Sequence, residues 1–335
     1  MQPIRVGIIG LGAIGGRVAR QFHKDGRTPV VFVCDTNEAL ARQAAAELGG
    51  VAWTTDYREM LSADQVDLVY VGVPPRWHHP IALDVIAAGK AILCEKPLAL
   101  TLEQAAEMVS KVREAGLVNH VHLPMPYDPG LREFSSRVRG GYLGALRRVD
   151  LHMVFPQWPR GWQSKTVGNF IGKREQGGPV REVGPHMFDV VLRNFGPVTR
   201  VRAEMEYPAD PEACETGAFG VLELASGVRV TVNVLCGVAR KESVDLTAYG
   251  TEGTLRLRHW SNLEAGRAGE MPEPVTVADT TQPGLPDLLY GAMREGRRDQ
   301  LCPFAEGLAI QAVLDAWERT AASGQWEDVT QFESL

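Results

Sequence analysis

The chain has 335 residues, more than one ordinary hydrophobic core organises and enough for two domains. Its 44% hydrophobic and 23% charged residues are those of a globular protein in water, and no apolar run reaches the length of a membrane span. The formal net charge of −6 argues against nucleic acid as a partner, since neutralising phosphates requires a basic face.

Residues 4–9 are a β-branched apolar run that ends at Gly10 and predicts a buried strand. The run is too short for the core of a signal peptide and leads straight into a glycine loop. A helix is expected over 15–24, and then a second strand over 30–34 that ends at Asp35. Helices over 38–48 and 55–60 follow, with a strand over 68–73 stopped by Pro74-Pro75. A helix over 81–88 is closed by Gly89, a strand covers 91–94, a helix over 102–115 is closed by Gly116, and a strand covers 118–121. Strands and helices alternating this regularly imply a doubly wound parallel sheet covered on both faces, and place a first, α/β domain at 1–123.

Beyond it the rhythm changes. Strand-like runs at 147–154, 198–206, 218–224, 229–235, 243–249 and 253–258 are mostly joined by short turns such as Ala225-Ser226-Gly227. Short turns make antiparallel neighbours. Helices are expected at 130–139, 185–195 and 304–323, while 264–286, rich in Gly and Pro, reads as a loop. Residues 124–335 are therefore expected to form an α+β domain with a large, mostly antiparallel open sheet. Cys34, Cys94, Cys214, Cys236 and Cys302 include no CxxC pair, which predicts reduced thiols in a cytoplasmic protein, with no disulfide frame and no zinc site.

Gly10-Leu11-Gly12-Ala13-Ile14-Gly15 fits GxGxxG between a strand and a helix, the context of a Rossmann dinucleotide site. The first glycine permits the tight turn, the second lets the backbone approach a pyrophosphate, and the third lets helix and strand pack closely. The phosphates then face a helix N-terminus. Asp35 ends the second strand, where a carboxylate accepts the adenosine ribose hydroxyls and repels a 2′-phosphate. Thr36-Asn37-Glu38 offers no cation for that phosphate, so NAD is expected over NADP. The alternative reading of Asp35 is a cap for the next helix.

Cys94-Glu95-Lys96-Pro97-Leu98 follows a strand and an Ala88-Gly89-Lys90 turn, and here the sequence resembles the glucose–fructose oxidoreductase, inositol dehydrogenase and MocA-like family, which carries an EKP motif at this place. Val73-Pro74-Pro75-Arg76-Trp77-His78 resembles its TPxxxH segment, and the closing stretch to Trp326 is similar as well. The resemblance implies that Val73, Pro74, His78, Glu95 and Lys96 lie about the cofactor and that Lys96-Pro97 is a cis peptide. Lys96, at the carboxyl end of a strand, has an ammonium suited to stabilise a reacting oxygen or to join a proton relay.

Gln176-Gly177-Gly178-Pro179-Val180-Arg181-Glu182-Val183-Gly184-Pro185-His186-Met187-Phe188-Asp189 resembles the family pattern GGGxLxDxGxHxxD, with Gln176, Val180 and Glu182 as departures. A helix beginning near Glu182 would place Glu182 and His186 one turn apart on one face, with Pro185 in its first turn. His186 is the candidate to exchange the substrate hydroxyl proton, and Glu182 the candidate to orient it or bind a neighbouring hydroxyl. Trp162, in the loop between Trp158 and Gly178 with Lys165, Lys173 and Arg174, is a candidate substrate contact or a loop anchor. The segment from His122 to Pro129 departs from the family, and His120 and His122 show no spacing for a metal.

The resemblance implies an NAD-dependent oxidoreductase acting on a secondary alcohol or ketone of a sugar, inositol or related polyol. It also implies a homodimer or homotetramer packed through the open face of the second sheet. Three alternatives stay open at this stage. They are an enzyme with tightly held NAD that uses transient oxidation for elimination or glycoside cleavage, reduction of an imine or ring double bond, and a non-catalytic dinucleotide sensor.

Overall fold

The computed structural model describes residues 2–163, 167–277, 283–297 and 301–332. The first stretch runs β1 (Val6–Ile9), α1 (Ala13–Lys24), β2 (Val30–Cys34), α2 (Glu38–Glu47), β3 (Ala52–Thr54), α3 (Tyr57–Leu61), β4 (Leu68–Val71), α4 (His78–Ala87), β5 (Ala91–Cys94), α5 (Leu102–Glu114) and β6 (Asn119–Val121). It continues with α6 (Pro129–Arg139), β7 (Leu146–Phe155), α7 (Pro179–Phe195), β8 (Val198–Glu206), β9 (Gly217–Leu224), β10 (Arg229–Cys236), β11 (Ser243–Gly250), β12 (Gly253–Arg258), β13 (Asn262–Arg267), β14 (Glu273–Pro274), α8 (Leu285–Arg294), α9 (Phe304–Ser323) and β15 (Glu327–Asp328).

Two compact units result: Met1–Leu123 with Pro283–Leu308, and Pro124–Gln282 with Ala309–Leu335. Residues 283–308, expected within the second domain, thus belong to the first unit. The reason lies in α8. Its Leu285, Leu288 and Leu289 are buried, Arg27 pairs with its Asp287 at 2.7 Å, and Arg294 reaches the carbonyls of Gln2 and Pro3. Helix α8 begins inside the segment expected to be a loop, which also holds β14.

In the first unit the strand order β3-β2-β1-β4-β5-β6 is parallel throughout. Every residue of β1, β4 and β5 is buried, as a sheet covered on both faces requires. The second unit holds a sheet of order β14-β13-β12-β11-β7-β10-β9-β8-β15. All its pairs are antiparallel except β10 with β7. That parallel pair arises because β7 connects onward through α7 rather than through a hairpin.

One face of this sheet packs on helices. Trp317 of α9 is fully buried against Gly220 of β9, where a Cβ would come within 2.5 Å of the indole, and Phe188 of α7 lies 6.2 Å from the same ring. The other face carries Phe219, Leu235 and Tyr249, which are 55%, 39% and 40% exposed. Helix α7 starts at Pro179, earlier than expected, because Gly178 at φ +99° ends the preceding loop and Pro179 is pre-set for the first helical position. Pro185 therefore sits inside the helix rather than in its first turn.

Candidate active site

In the first unit the glycine loop turns tightly between β1 and α1. Gly10 has φ +88°, and a Cβ there would come within 2.3 Å of the Gly72 carbonyl. A Cβ on Gly15 would meet the Gly10 carbonyl at 2.0 Å, whereas one on Gly12 would meet nothing within 4 Å. Gly12 thus faces open space at the start of α1, followed by Ala13 and Ile14. No side chain caps this helix end, and its first turn holds no acidic residue. Asp35 accepts the Leu11 N–H at 2.8 Å and the Asn37 N–H at 2.9 Å, so it braces the loop. It does not cap α2, because Asn37 does that through Leu40 N–H.

Below the loop lies a polar node. Glu95 follows β5 and accepts the Tyr70 hydroxyl at 2.8 Å, the His122 Nδ1–H at 2.6 Å and the Lys96 backbone N–H at 3.2 Å. Burial alone would raise the Glu95 carboxyl, but His122, Lys96 and Tyr70 outweigh it and hold its pKa down at about 2. The Lys96 side chain therefore stands next to a fixed anion. Lys96-Pro97 is cis.

Val73 and Pro74 follow β4. His78 is fully buried, and its ring nitrogens lie 2.8 Å from the Pro97 and Val73 carbonyls. It thus ties the Val73 turn to the Lys96-Pro97 turn. His120 and His122, alternating on β6, serve different partners, His120 meeting the backbone of Cys302.

In the second unit, Glu182 and His186 stand one turn apart on α7, Glu182 buried and His186 half-buried. The His186 ring packs on Trp260, with centroids 5.6 Å apart and planes at 84°. Further along, the buried Asp189 accepts from Arg193 Nε at 2.8 Å. The start of α7 is held by Glu215, whose carboxylate accepts the Val180 N–H at 2.9 Å. A Cβ on Gly178 would come within 2.2 Å of that carboxylate, and one on Gly177 within 2.3 Å of the Phe170 carbonyl. Burial pushes the Glu215 carboxyl up to about 7, despite the Val180 N–H.

Trp162 is half exposed and stacks under Arg160, 4.9 Å from the guanidinium. Arg160 also lies over Phe155 and Trp158 and interacts with Glu242 and Glu182; burial lowers its pKa against the pull of both carboxylates. Trp158 anchors the loop by donating to the Ile171 carbonyl at 3.2 Å. Lys173 pairs with Glu212, and Arg174 lies over Tyr207. Lys165 lies outside the described residues.

These observations meet two family profiles. One, described as an oxidoreductase family with an NAD-binding Rossmann fold, matches residues 4–123; the other, the GFO/IDH/MocA C-terminal domain, matches residues 131–256. The chain belongs to the GFO/IDH/MocA oxidoreductase family. Within it, D-glucoside 3-dehydrogenase of Escherichia coli K12 is 31% identical over 58% of this chain and 54% of its own length. D-apiose dehydrogenase of Paraburkholderia graminis is 29% identical over 70% and 62%. The matches thus span less than two thirds of these relatives. Among solved structures, the WlbA dehydrogenase of Bordetella pertussis in complex with NADH and UDP-GlcNAcA has the same fold, with TM-score 0.87 and 23% identity over 99% of this chain and 100% of that one.

Family motifs led to Lys96, Glu182 and His186 but not to the residues that hold them. Tyr70 sits in no motif and reaches Glu95 within the first unit, while Arg160, Glu215 and Trp260, also in no motif, reach α7 within the second. His122 alone left a trace, as part of a segment that departs from the family pattern.

Proposed function

We propose that this GFO/IDH/MocA member is an NAD-dependent dehydrogenase that interconverts a secondary alcohol and a ketone on a sugar, inositol or related polyol. The observation that carries this reading is Lys96, which follows the ionised Glu95 at the carboxyl end of β5 in the unit that holds the glycine loop. That position in an open parallel sheet is where such folds meet their ligands. The names of the sugar-oxidising relatives agree with it.

The residues fit the cofactor. Gly12, whose Cβ position is open, would let the pyrophosphate approach, the N-terminus of α1 would receive it, and Asp35 would accept the adenosine ribose hydroxyls. When bound, NAD supplies the two-electron acceptor for the substrate carbon.

Everything else falls to the chain. Lys96 donates to the reacting oxygen and stabilises the charge that develops on it. His186 accepts the hydroxyl proton in the oxidising direction and returns it in the other. Glu182, buried beside Arg160, orients a neighbouring hydroxyl or the imidazole. The outward apolar residues Phe219, Leu235 and Tyr249 support a homodimer or homotetramer through the open sheet face. The five cysteines are buried and none is in a disulfide, which supports a cytoplasmic location. No described helix is long and apolar enough to cross a membrane.

The test is NADH formation across aldoses, inositols, sugar acids and glycosides, with NADP in parallel. Lys96→Ala and His186→Ala should each lower kcat by about a hundredfold or more while NADH affinity stays within a few fold. Equal loss of binding would count against both roles. Silence across the panel with NADH binding intact would favour an enzyme that retains its cofactor, or a sensor.

A further inference from the structure

Trp260 occupies a costly position. It and His259 turn the corner between β12 and β13 with φ of +80° and +47°, a region that side-chain-bearing residues avoid. The turn is held in place from several sides. The Trp260 N–H donates to the Val244 carbonyl at 2.8 Å, and the His259 N–H donates to Asp245 at 2.9 Å. Asp245 is buried and also accepts the Ser243 hydroxyl at 2.6 Å. The Ser261 carbonyl presses on the start of α6 so closely that a Cβ on Gly130 would clash with it. Strain maintained by so many contacts is the kind found where a side chain must be aimed. What the turn aims is a half-buried indole set edge-to-face with His186.

We propose that Trp260 is the aromatic platform of the substrate site. It fixes the rotation of His186 and receives the C–H face of a cyclic polyol, so that the site favours ring-form over open-chain alcohols. A flat indole matches the axial C–H face of a pyranose or inositol ring, while a flexible alditol presents no such face. The inference rests on the dehydrogenase reading, which gives His186 a hydroxyl to serve.

The experiment compares Trp260→Leu, Trp260→Phe and Trp260→Gly with the parent chain. Trp260→Gly removes the ring and relieves the positive φ together, so it should fold at least as stably as the parent. For Leu and Gly variants, kcat/KM for a cyclic polyol should fall about tenfold relative to that for an open-chain alditol. Trp260→Phe should keep most of the preference. The His186 ring-proton resonance should move in Trp260→Leu, reporting loss of the ring contact without any need for turnover. If no alcohol is oxidised, myo-inositol and methyl glucoside are titrated instead by ligand-detected NMR. Binding to the parent that is lost in Trp260→Gly supports the platform even though the dehydrogenase reading fails. An unchanged cyclic-to-acyclic ratio, equal binding by parent and Gly variant, or an unmoved His186 resonance would overturn it.

Discussion

Two glycine turns open two helices in this chain, and the chain completes them in opposite ways. At α1 the turn from Gly10 to Gly15 leaves the helix end without a capping side chain and without an acidic residue in its first turn. At α7 the pair Gly177-Gly178 makes room for Glu215, a carboxylate of the chain itself, which takes the Val180 N–H. Both helix ends attract an anion. The first has no carboxylate of the chain in its first turn, whereas the second, on the helix that carries Glu182 and His186, is completed from within by Glu215.

The most direct way to break this contrast is to give α1 an anion of its own. Gly12→Asp places a carboxylate where a Cβ meets nothing, so the fold should tolerate it and α1 should gain a cap. Dinucleotide affinity should fall on the order of a thousandfold, as two like charges a few ångströms apart at an effective dielectric near that of a protein surface would cost. NADH fluorescence titration with a parallel melting curve reads both. Weakened affinity together with a lower Tm would mean the loop had simply collapsed.

Gly178→Ala tests the other turn. Its Cβ would meet the Glu215 carboxylate, at a φ that disfavours any side chain. A loss of about 3 kcal/mol in denaturant unfolding is expected, with the defect in turnover larger than that in NADH binding.

Glu215→Gln sharpens the comparison through pH. The carboxyl titrates at about 7 when folded, above its ordinary 4.5, because burial disfavours its charge. The folded chain therefore keeps a proton that the unfolded chain releases, and stability falls as pH rises from 4.5 to 7 and then levels off. Gln should remove roughly 2 kcal/mol of that decline between pH 5 and 8. An unchanged slope would show that Glu215 is ionised throughout. Glu95 is the mirror case: its pKa is held at about 2, so its contribution is present above 4.5 and lost as pH falls through 2.

The smallest effect is expected at Asp35, where Ser should shift the preference from NAD toward NADP by about tenfold in kcat/KM.

How much of this was legible in the sequence follows from how local each cause is. The roles of Gly10 and Gly15 depend on a turn and a strand within a few residues, and spacing exposes them. Lys96, Glu182 and His186 were visible through family motifs. The strand β3 was not, because Ala52 and Trp53 are exposed and give no apolar alternation. Helix α8 begins at the end of the Gly- and Pro-rich stretch 264–286, which reads as a loop, and the sequence pattern assigns no element to 287–294. Glu215 and Trp260 act on α7 from strands far along the chain, and no periodicity reports such a meeting. The start of α7 differs from expectation for a related reason, since the helix is initiated by Gly178 and Pro179, ahead of Glu182 and His186.

The five buried cysteines have a use that their inertness conceals. Cys34 and Cys94 end the strands β2 and β5 of the first unit, while Cys214 and Cys236 lie in the second, and burial pushes the thiols of Cys34, Cys214 and Cys236 up to about 12. None reacts until the backbone around it opens. Each unit thus carries a built-in clock: the order in which these thiols are alkylated records which unit opens first, and how much dinucleotide slows it.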